Sequence, residues 1–323
     1  MSRADDIFVD MCREIIDTGM SSEGQKVRPR WEDGTPAHTI KKFGVVSRYD
    51  LREEFPALTL RRTAIKSATN ELLWIWQKKS NNIHDLKASV WDEWADEEGT
   101  IGKAYGYQMA IKYPFSDITE EGLRVAFGED YKPLVLEASK GISSDLRMEK
   151  CIFDKESGRY FMDQVDKVIY DLRVTPFSRR ILTSMYTFSD LSEMHLYPCA
   201  YSMTFNVTVD DQGDMVLNAI LNQRSQDILA ANNWNVCQYS VLLHMLARTV
   251  GMIPGELVQV ISDAHIYDRH VPLVEELITR ERHPAPKFSL NPDKFDFYDF
   301  TEDDITLTDY VTGEQIKNIP IAV

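Results

Sequence analysis

Positive charge is scarce in this chain of 323 residues: 36 lysines and arginines stand against 51 aspartates and glutamates, a formal net charge of −15. That balance repels polyphosphate backbones and anionic bilayers, so neither nucleic acid as main ligand nor a membrane surface is expected. Cysteine is equally sparse. Cys12, Cys151, Cys199 and Cys237 lie far apart with no Cys-x-x-Cys pair. This usage argues against a disulfide framework or a zinc site and suits the reducing cytoplasm. No apolar run has membrane-spanning length, and the opening MSRADDIF is acidic, without a signal-peptide pattern. A glycine-rich phosphate loop, metal-ligand spacing, a serine-hydrolase elbow, internal repeats and low-complexity tracts are all missing. An acidic protein without a phosphate loop can still bind an anion, but only by gathering arginines at one place.

What is present is core material: 43% hydrophobic and 11% aromatic residues, enough for a single catalytic domain over residues 1–323. Residues 5–19 carry Ile7, Phe8, Met11, Ile15 and Ile16 at helical spacing, with Gly19 as a stop. Residues 25–39 read as a loop. A helix is expected over 63–80 with an apolar face around Leu72, Leu73 and Trp76, and another over 163–173. Alternating and β-branched runs at 181–186, 201–209 and 215–222 read as strands, the last two joined by the hairpin signal Asp210-Asp211-Gln212-Gly213. Residues 235–251 are apolar almost all round and end at Gly251, which predicts a buried central helix opened by Asn235. From 293 to 323 short strands and turns are expected, ending in the apolar IPIAV. Residues 113–158 are polar and weakly patterned, and read as an insertion on the main domain. Strands and helices mix without βαβ regularity, so the fold class is α+β.

Several side chains admit two readings. Arg179 and Arg180, at the start of a strand, are surface solubilisers or a phosphate clamp, since a guanidinium fork matches phosphate oxygens in pairs. Arg224, with Ser225 beside it, and Arg28 in the N-terminal loop are open to the same two readings. Cys199 is a buried inert thiol or a nucleophile, the latter requiring nearby cations to favour its thiolate. Glu71 is part of a solvated helix face or a catalytic acid–base group. Asp263, His265 and Tyr267 alternate onto one face of a strand, as a ribose-binding edge or an ordinary polar face. Asn235 is a helix cap or something more.

Taken in order, these stretches resemble the thymidylate synthase family. The resemblance is carried by NELLWIWQ (70–77), WDEWADEEGTIGKAYGYQ (91–108), Ser178-Arg179-Arg180, Pro198-Cys199, QRSQD (223–227) and Trp234-Asn235. It continues through DAHIY (263–267), DFTEDD (299–304) and the terminal Ile321-Ala322-Val323. It covers nearly the whole chain outside 113–158. It implies a large mixed sheet packed against helices, an obligate homodimer, and two substrates, dUMP and 5,10-methylenetetrahydrofolate, with no metal. Cys199 would add to C6 of uracil, Glu71 would relay protons at O4 and Asn235 would read the N3/O4 edge. Tyr105 would assist removal of the C5 proton. Arg28, Gln223, Arg224 and Ser225 would serve the nucleotide, with Arg179 and Arg180 reaching its phosphate from the partner subunit. His265 and Tyr267 would meet the ribose, and Asp227 the pterin. Trp91, Ala231, Arg61 and the terminal Val323 would shape the folate side.

The chain departs from the family pattern at Ala200, Ala231, Asn233, Met109 and Ser262, and Ala231 stands where a glycine is usual beside the folate. Two rivals follow. A dUMP hydroxymethyltransferase of the same superfamily would let water, not hydride, capture the exocyclic methylene. A non-catalytic nucleotide- or RNA-binding regulator would need none of the catalytic set, which is nevertheless present. Asn235, where a cytosine-specific member would carry aspartate, favours uracil.

Overall fold

The computed structural model describes residues 1–137, 142 and 146–322. The chain opens with α1 (Arg3–Thr18), β1 (Met20–Ser21) and β2 (Thr39–Asp50), then α2 (Ile65–Trp76) and the short α3 (Gly106–Ala110). A small unit follows: β3 (Tyr113–Phe115), α4 (Glu120–Phe127), β4 (Leu134–Leu136), β5 (Ile152–Asp154) and β6 (Arg159–Met162). After α5 (Gln164–Val174) come β7 (Leu182–Ser184), β8 (Ala200–Val209), β9 (Met215–Gln223) and β10 (Gln226–Asp227). The chain then forms α6 (Asn232–Val250), β11 (Ile253–Tyr267), α7 (Val271–Leu277), β12 (Lys287–Leu290) and β13 (Ile305–Thr308).

The main sheet runs β1-β2-β11-β9-β8-β7, with β10 paired to β11. Only β9–β11 and β10–β11 are parallel within it. Strands and helices therefore mix as an α+β fold. Register divides the sheet into two faces. Ser47, Gln259, Leu221, Met203 and Thr183 lie in one row across five strands, all buried, and α6 packs on this side against β9 and β11. The neighbouring row, Arg48, Val258, Ile220, Thr204 and Leu182, belongs to the opposite face. That face leaves Val46, Ile220 and Leu182 exposed at 54%, 40% and 51%.

α6 is the hub of the core. Val241, Leu242, Leu243, Met245 and Leu246 are all fully buried. It ends because Gly251 adopts φ 72°, a conformation that costs glycine nothing, and its N–H and that of Met252 close back on Ala247 and Arg248 carbonyls. The helix begins at Asn232, one turn earlier than the sequence pattern predicts. Asn235 is therefore not the cap: its N–H already bonds to the Ala231 carbonyl inside the helix.

Residues 113–137 and 146–162 hold a separate four-stranded sheet, β3-β6-β5-β4. Its last strand ends at Met162, beyond the boundary read from polarity. Ile118, Leu123, Ala126, Cys151 and Met162 bury against Tyr170 of α5, whose hydroxyl accepts the Thr119 N–H at 3.2 Å. Tyr170 from the body completes the small core of this otherwise polar stretch.

Candidate active site

At one edge of the main sheet a cavity of about 870 Å³ opens. Chain segments distant in sequence converge on it: the entry to β8 (Cys199), the exit from β9 (Arg224, Ser225), β10 (Asp227) and the end of β11 (His265, Tyr267). Glu71 of α2, Trp234 and Asn235 of α6, and Tyr105 complete the inner wall, while Arg28 and residues 320–322 of the tail close over it.

Cys199 is the half-buried cysteine; Cys12, Cys151 and Cys237 are fully buried. Its Sγ lies 3.6 Å from the guanidinium of Arg224, which also donates to the carbonyls of Pro198 at 3.1 Å and Tyr197 at 2.7 Å. Arg224 thus fixes the Tyr197-Pro198-Cys199 turn and points positive charge at its sulfur. Burial raises the thiol pKa above its ordinary value, and Arg224 and Arg28 oppose that rise. Behind the sulfur, the Cys199 N–H donates to the Tyr105 hydroxyl at 3.1 Å. Tyr105 holds φ 46° and ψ −104°, strained for any residue with a side chain. Gly106 follows it because a Cβ there would come within 1.9 Å of the Ser80 carbonyl oxygen.

Glu71 is 7% exposed and accepts three hydrogen bonds: from Trp91 Nε1 at 2.7 Å, from Gln238 Nε2 at 3.2 Å and from Trp234 Nε1. Burial pushes its carboxyl above the usual range, and the three donors hold it back. A carboxyl whose pKa burial raises while it faces a cavity suits proton relay. A chain of amides sets Asn235. Gln259 donates to Gln223 at 2.6 Å, Gln223 to Asn235 at 3.1 Å, Asn235 to Gln238 at 3.3 Å, and Gln238 to Glu71. Each acceptor dictates the next donor, so Asn235 is oriented before any ligand arrives. His265 Nδ1 lies 2.9 Å from Asp263 Oδ1, and Lys41 Nζ 2.9 Å from Asp263 Oδ2. Asp227 accepts the Ala230 N–H at 3.0 Å. Its burial is outweighed by the His270 imidazole, so the carboxyl titrates below its ordinary value.

A cavity that aims a cysteine, a buried glutamate, an oriented asparagine and arginines at one space matches a family by sequence. The family model described as thymidylate synthase matches residues 6–323. The chain belongs to the thymidylate synthase family. The thymidylate synthase of Bacillus licheniformis is 37% identical over 320 residues, covering 98% of each chain, and that of Bacillus phage phi3T is 35% identical over the same span. Among solved structures, the thermostable thymidylate synthase A from Bacillus subtilis is 34% identical, with a TM-score of 0.78 and 99% of both chains covered.

Not every residue singled out from the sequence meets the cavity. Gln223 lies beneath the wall, 1% exposed, acting on Asn235. Arg61 does not line it and donates instead to the Leu229 carbonyl. Arg179 and Arg180 are exposed outside it, and among the described residues neither guanidinium has an ion pair or hydrogen bond. Val323 lies outside the described residues. Of the departures, Ala231 does line the cavity, with φ −119°, a backbone open to any residue. Met109 and Asn233 are buried off the cavity, and Ser262 is exposed outside it. Sequence reasoning missed Gln238, Trp94 and Tyr239, and passed over Trp234 as a donor to Glu71. Trp234, Asn235, Gln238 and Tyr239 are spaced i, i+1, i+4 and i+5. In a helix that spacing is one face, a signal that could have found Gln238 and Tyr239; Trp94 has no such signal.

Proposed function

We propose that this chain is a methyltransferase that converts dUMP to dTMP with 5,10-methylenetetrahydrofolate, which supplies both the one-carbon unit and a hydride. The observation that carries the reading is Cys199 Sγ facing the cavity 3.6 Å from Arg224, within the wall that Glu71, Tyr105 and Asn235 complete. Cys199 adds to C6 of uracil, which makes C5 nucleophilic toward the one-carbon unit. Asn235 and Glu71 stabilise the charge that develops at O4. Tyr105, with its hydroxyl beside the Cys199 backbone, assists loss of the C5 proton. Loss of that proton expels the folate nitrogen, leaving an exocyclic methylene and tetrahydrofolate. Tetrahydrofolate then gives hydride to that carbon, Cys199 leaves C6, and dTMP and dihydrofolate result.

Arg28, Arg224 and Ser225 take the phosphate, and His265 and Tyr267 the ribose. Asp227 receives N–H donors of the pterin, between Ala231 and Trp91. The cavity volume lies high in the range for small-molecule sites, which suits two ligands held together. The tail at 320–322, folded over the opening, excludes water and so favours methyl over hydroxymethyl product.

A homodimer is part of the reading. Val46, Ile220 and Leu182 on the outer sheet face are apolar surface that a second copy would cover. Arg179 and Arg180 precede β7 of that same sheet, and among the described residues neither guanidinium has an ion pair or hydrogen bond. The four free thiols suit the cytoplasm. Among the described residues no helix is long and apolar enough to cross a membrane.

The test is a product assay with dUMP and methylenetetrahydrofolate in which both products are identified. dTMP with dihydrofolate is expected. Hydroxymethyl-dUMP with tetrahydrofolate, or no turnover, would overturn the reading.

A further inference from the structure

His270 takes no part in the chemistry above, yet it stands between Asp227 of the cavity wall and the tail that covers the cavity. Its side chain is buried at the start of α7. Nε2 lies 2.7 Å from the carbonyl oxygen of Pro320, in the tail segment that lines the cavity. Nδ1 has no hydrogen-bond partner among the described residues, and the Asp227 carboxylate lies 3.6 Å from it. A neutral imidazole carries one proton. Placed on Nε2 for the carbonyl, it leaves a bare lone pair facing a carboxylate; placed on Nδ1, it sets a lone pair against the Pro320 oxygen. Only the doubly protonated ring suits both neighbours.

We propose that His270, as an imidazolium, is a positioning residue that ties the C-terminal tail to Asp227 and so seats the tail against the folate side of the cavity. The charges around it agree. Asp227 of β10 faces one nitrogen and Asp268 precedes α7, its carboxylate held by Trp31 Nε1 at 3.0 Å. Tyr267 and Trp31 meet the ring edge-on at 5.5 Å and 5.7 Å. The nearby cation Arg269 pairs away, with Asp33 at 2.6 Å. Burial alone would lower the histidine pKa, but Asp227 outweighs it and the group titrates above its ordinary value. The strap is therefore in place below that raised pKa and is lost as pH rises through it.

The proposal rests on the methyl-transfer reading for its kinetic arm only. The direct arm is ¹⁵N NMR of histidine-labelled protein, with the His270 signals identified by their loss in His270→Gln. Both ring nitrogens protonated at neutral pH is expected; a neutral ring would overturn the proposal whatever reaction the protein catalyses. In the kinetic arm, glutamine has one amide donor group and no charge. His270→Gln should raise KM for methylenetetrahydrofolate about tenfold while KM for dUMP stays within about twofold. In wild type the folate KM should climb with pH through the imidazole titration, and in His270→Gln that climb should vanish. Equal weakening of both substrates, or an unchanged pH profile in the variant, would make His270 a packing residue and overturn the proposal. If methylenetetrahydrofolate is not used at all, the methyl-transfer reading fails while the NMR result still decides the strap.

Discussion

Two clusters of buried ionisable groups in this molecule differ in what surrounds them. Between α5 and the turn after α2, Lys79 Nζ lies 2.5 Å from Asp163 and 2.9 Å from Asp166, and Lys112 Nζ lies 2.6 Å from Asp163. The Tyr298 hydroxyl donates to Asp166 at 2.7 Å. Two cations face two anions, sealed from water and from any cavity. Burial raises the Asp163 pKa but the two lysines outweigh it; at Asp166 burial and the Asp163 charge together win, and the pKa rises. Around the candidate cavity, Glu71 has three neutral donors and, among the described residues, no cation partner, and Cys199 has an arginine across a gap. Burial of charge therefore does not mark a site. An incomplete set of partners beside open space does, because the remaining interaction is left for a ligand.

The largest effect that would break this contrast is at the nucleophile. Cys199→Ser should lower turnover by roughly four orders of magnitude or more while dUMP still binds, since a hydroxyl is a poor nucleophile for conjugate addition. Near-normal turnover would remove Cys199 from the mechanism. In the sealed cluster, Lys79→Met leaves two carboxylates with one cation. It should cost about 3–5 kcal/mol in urea unfolding, with kcat per folded molecule nearly unchanged. A large loss of kcat at intact stability would make the cluster functional.

Glu71→Gln should do the reverse. Its raised pKa means that the charged carboxylate weakens the folded state as pH rises above the usual carboxylate range. Removing the charge favours the folded state, but the amide NH2 must then face an N–H donor that a carboxylate oxygen accepts. Stability at pH 7 should therefore fall by no more than about 1–2 kcal/mol, while kcat falls by about 10²–10³. A stability loss like that of Lys79→Met would erase the distinction between the two clusters. The smallest signal joins the cavity to the outer sheet face. Mixing Arg179→Ala with Cys199→Ser and allowing subunits to exchange should restore up to about a quarter of wild-type activity, because half of the sites in a mixed dimer then carry neither change. No recovery in a demonstrated heterodimer would place Arg179 outside the partner's site.

Much of the local structure was legible in the chain. The apolar spacing of α1 and α2, the Asp210–Gly213 turn between β8 and β9, and Gly251 as a helix stop are each dictated by residues within a few positions of one another. Cys199, Arg224 and the DAHIY strand were visible as candidates but ambiguous one by one. Each has a common structural use, and only their order along the chain pointed to one family. The start of α6 was misplaced because Asn232, Asn233 and Asn235 are all of a residue type that caps helices. What distinguishes them lies far away in sequence: Asn232, Asn233 and Trp234 bond to Gln259, Thr63 and Glu71. The small sheet looked uncommitted because its core depends on Tyr170 from outside it.

The sequence by itself determined the fold class, the absence of a phosphate loop or metal pattern, and the family, because periodicity, turn chemistry and ordered short stretches are local properties of the chain. Only the tertiary structure decided which of its buried carboxylates meet a cation and which meet a cavity. It also decided that Gln223 lies beneath the wall and donates to Asn235, and that His270 stands between the tail and Asp227. Those outcomes depend on distances between elements far apart in the chain, and no spacing along a sequence encodes them.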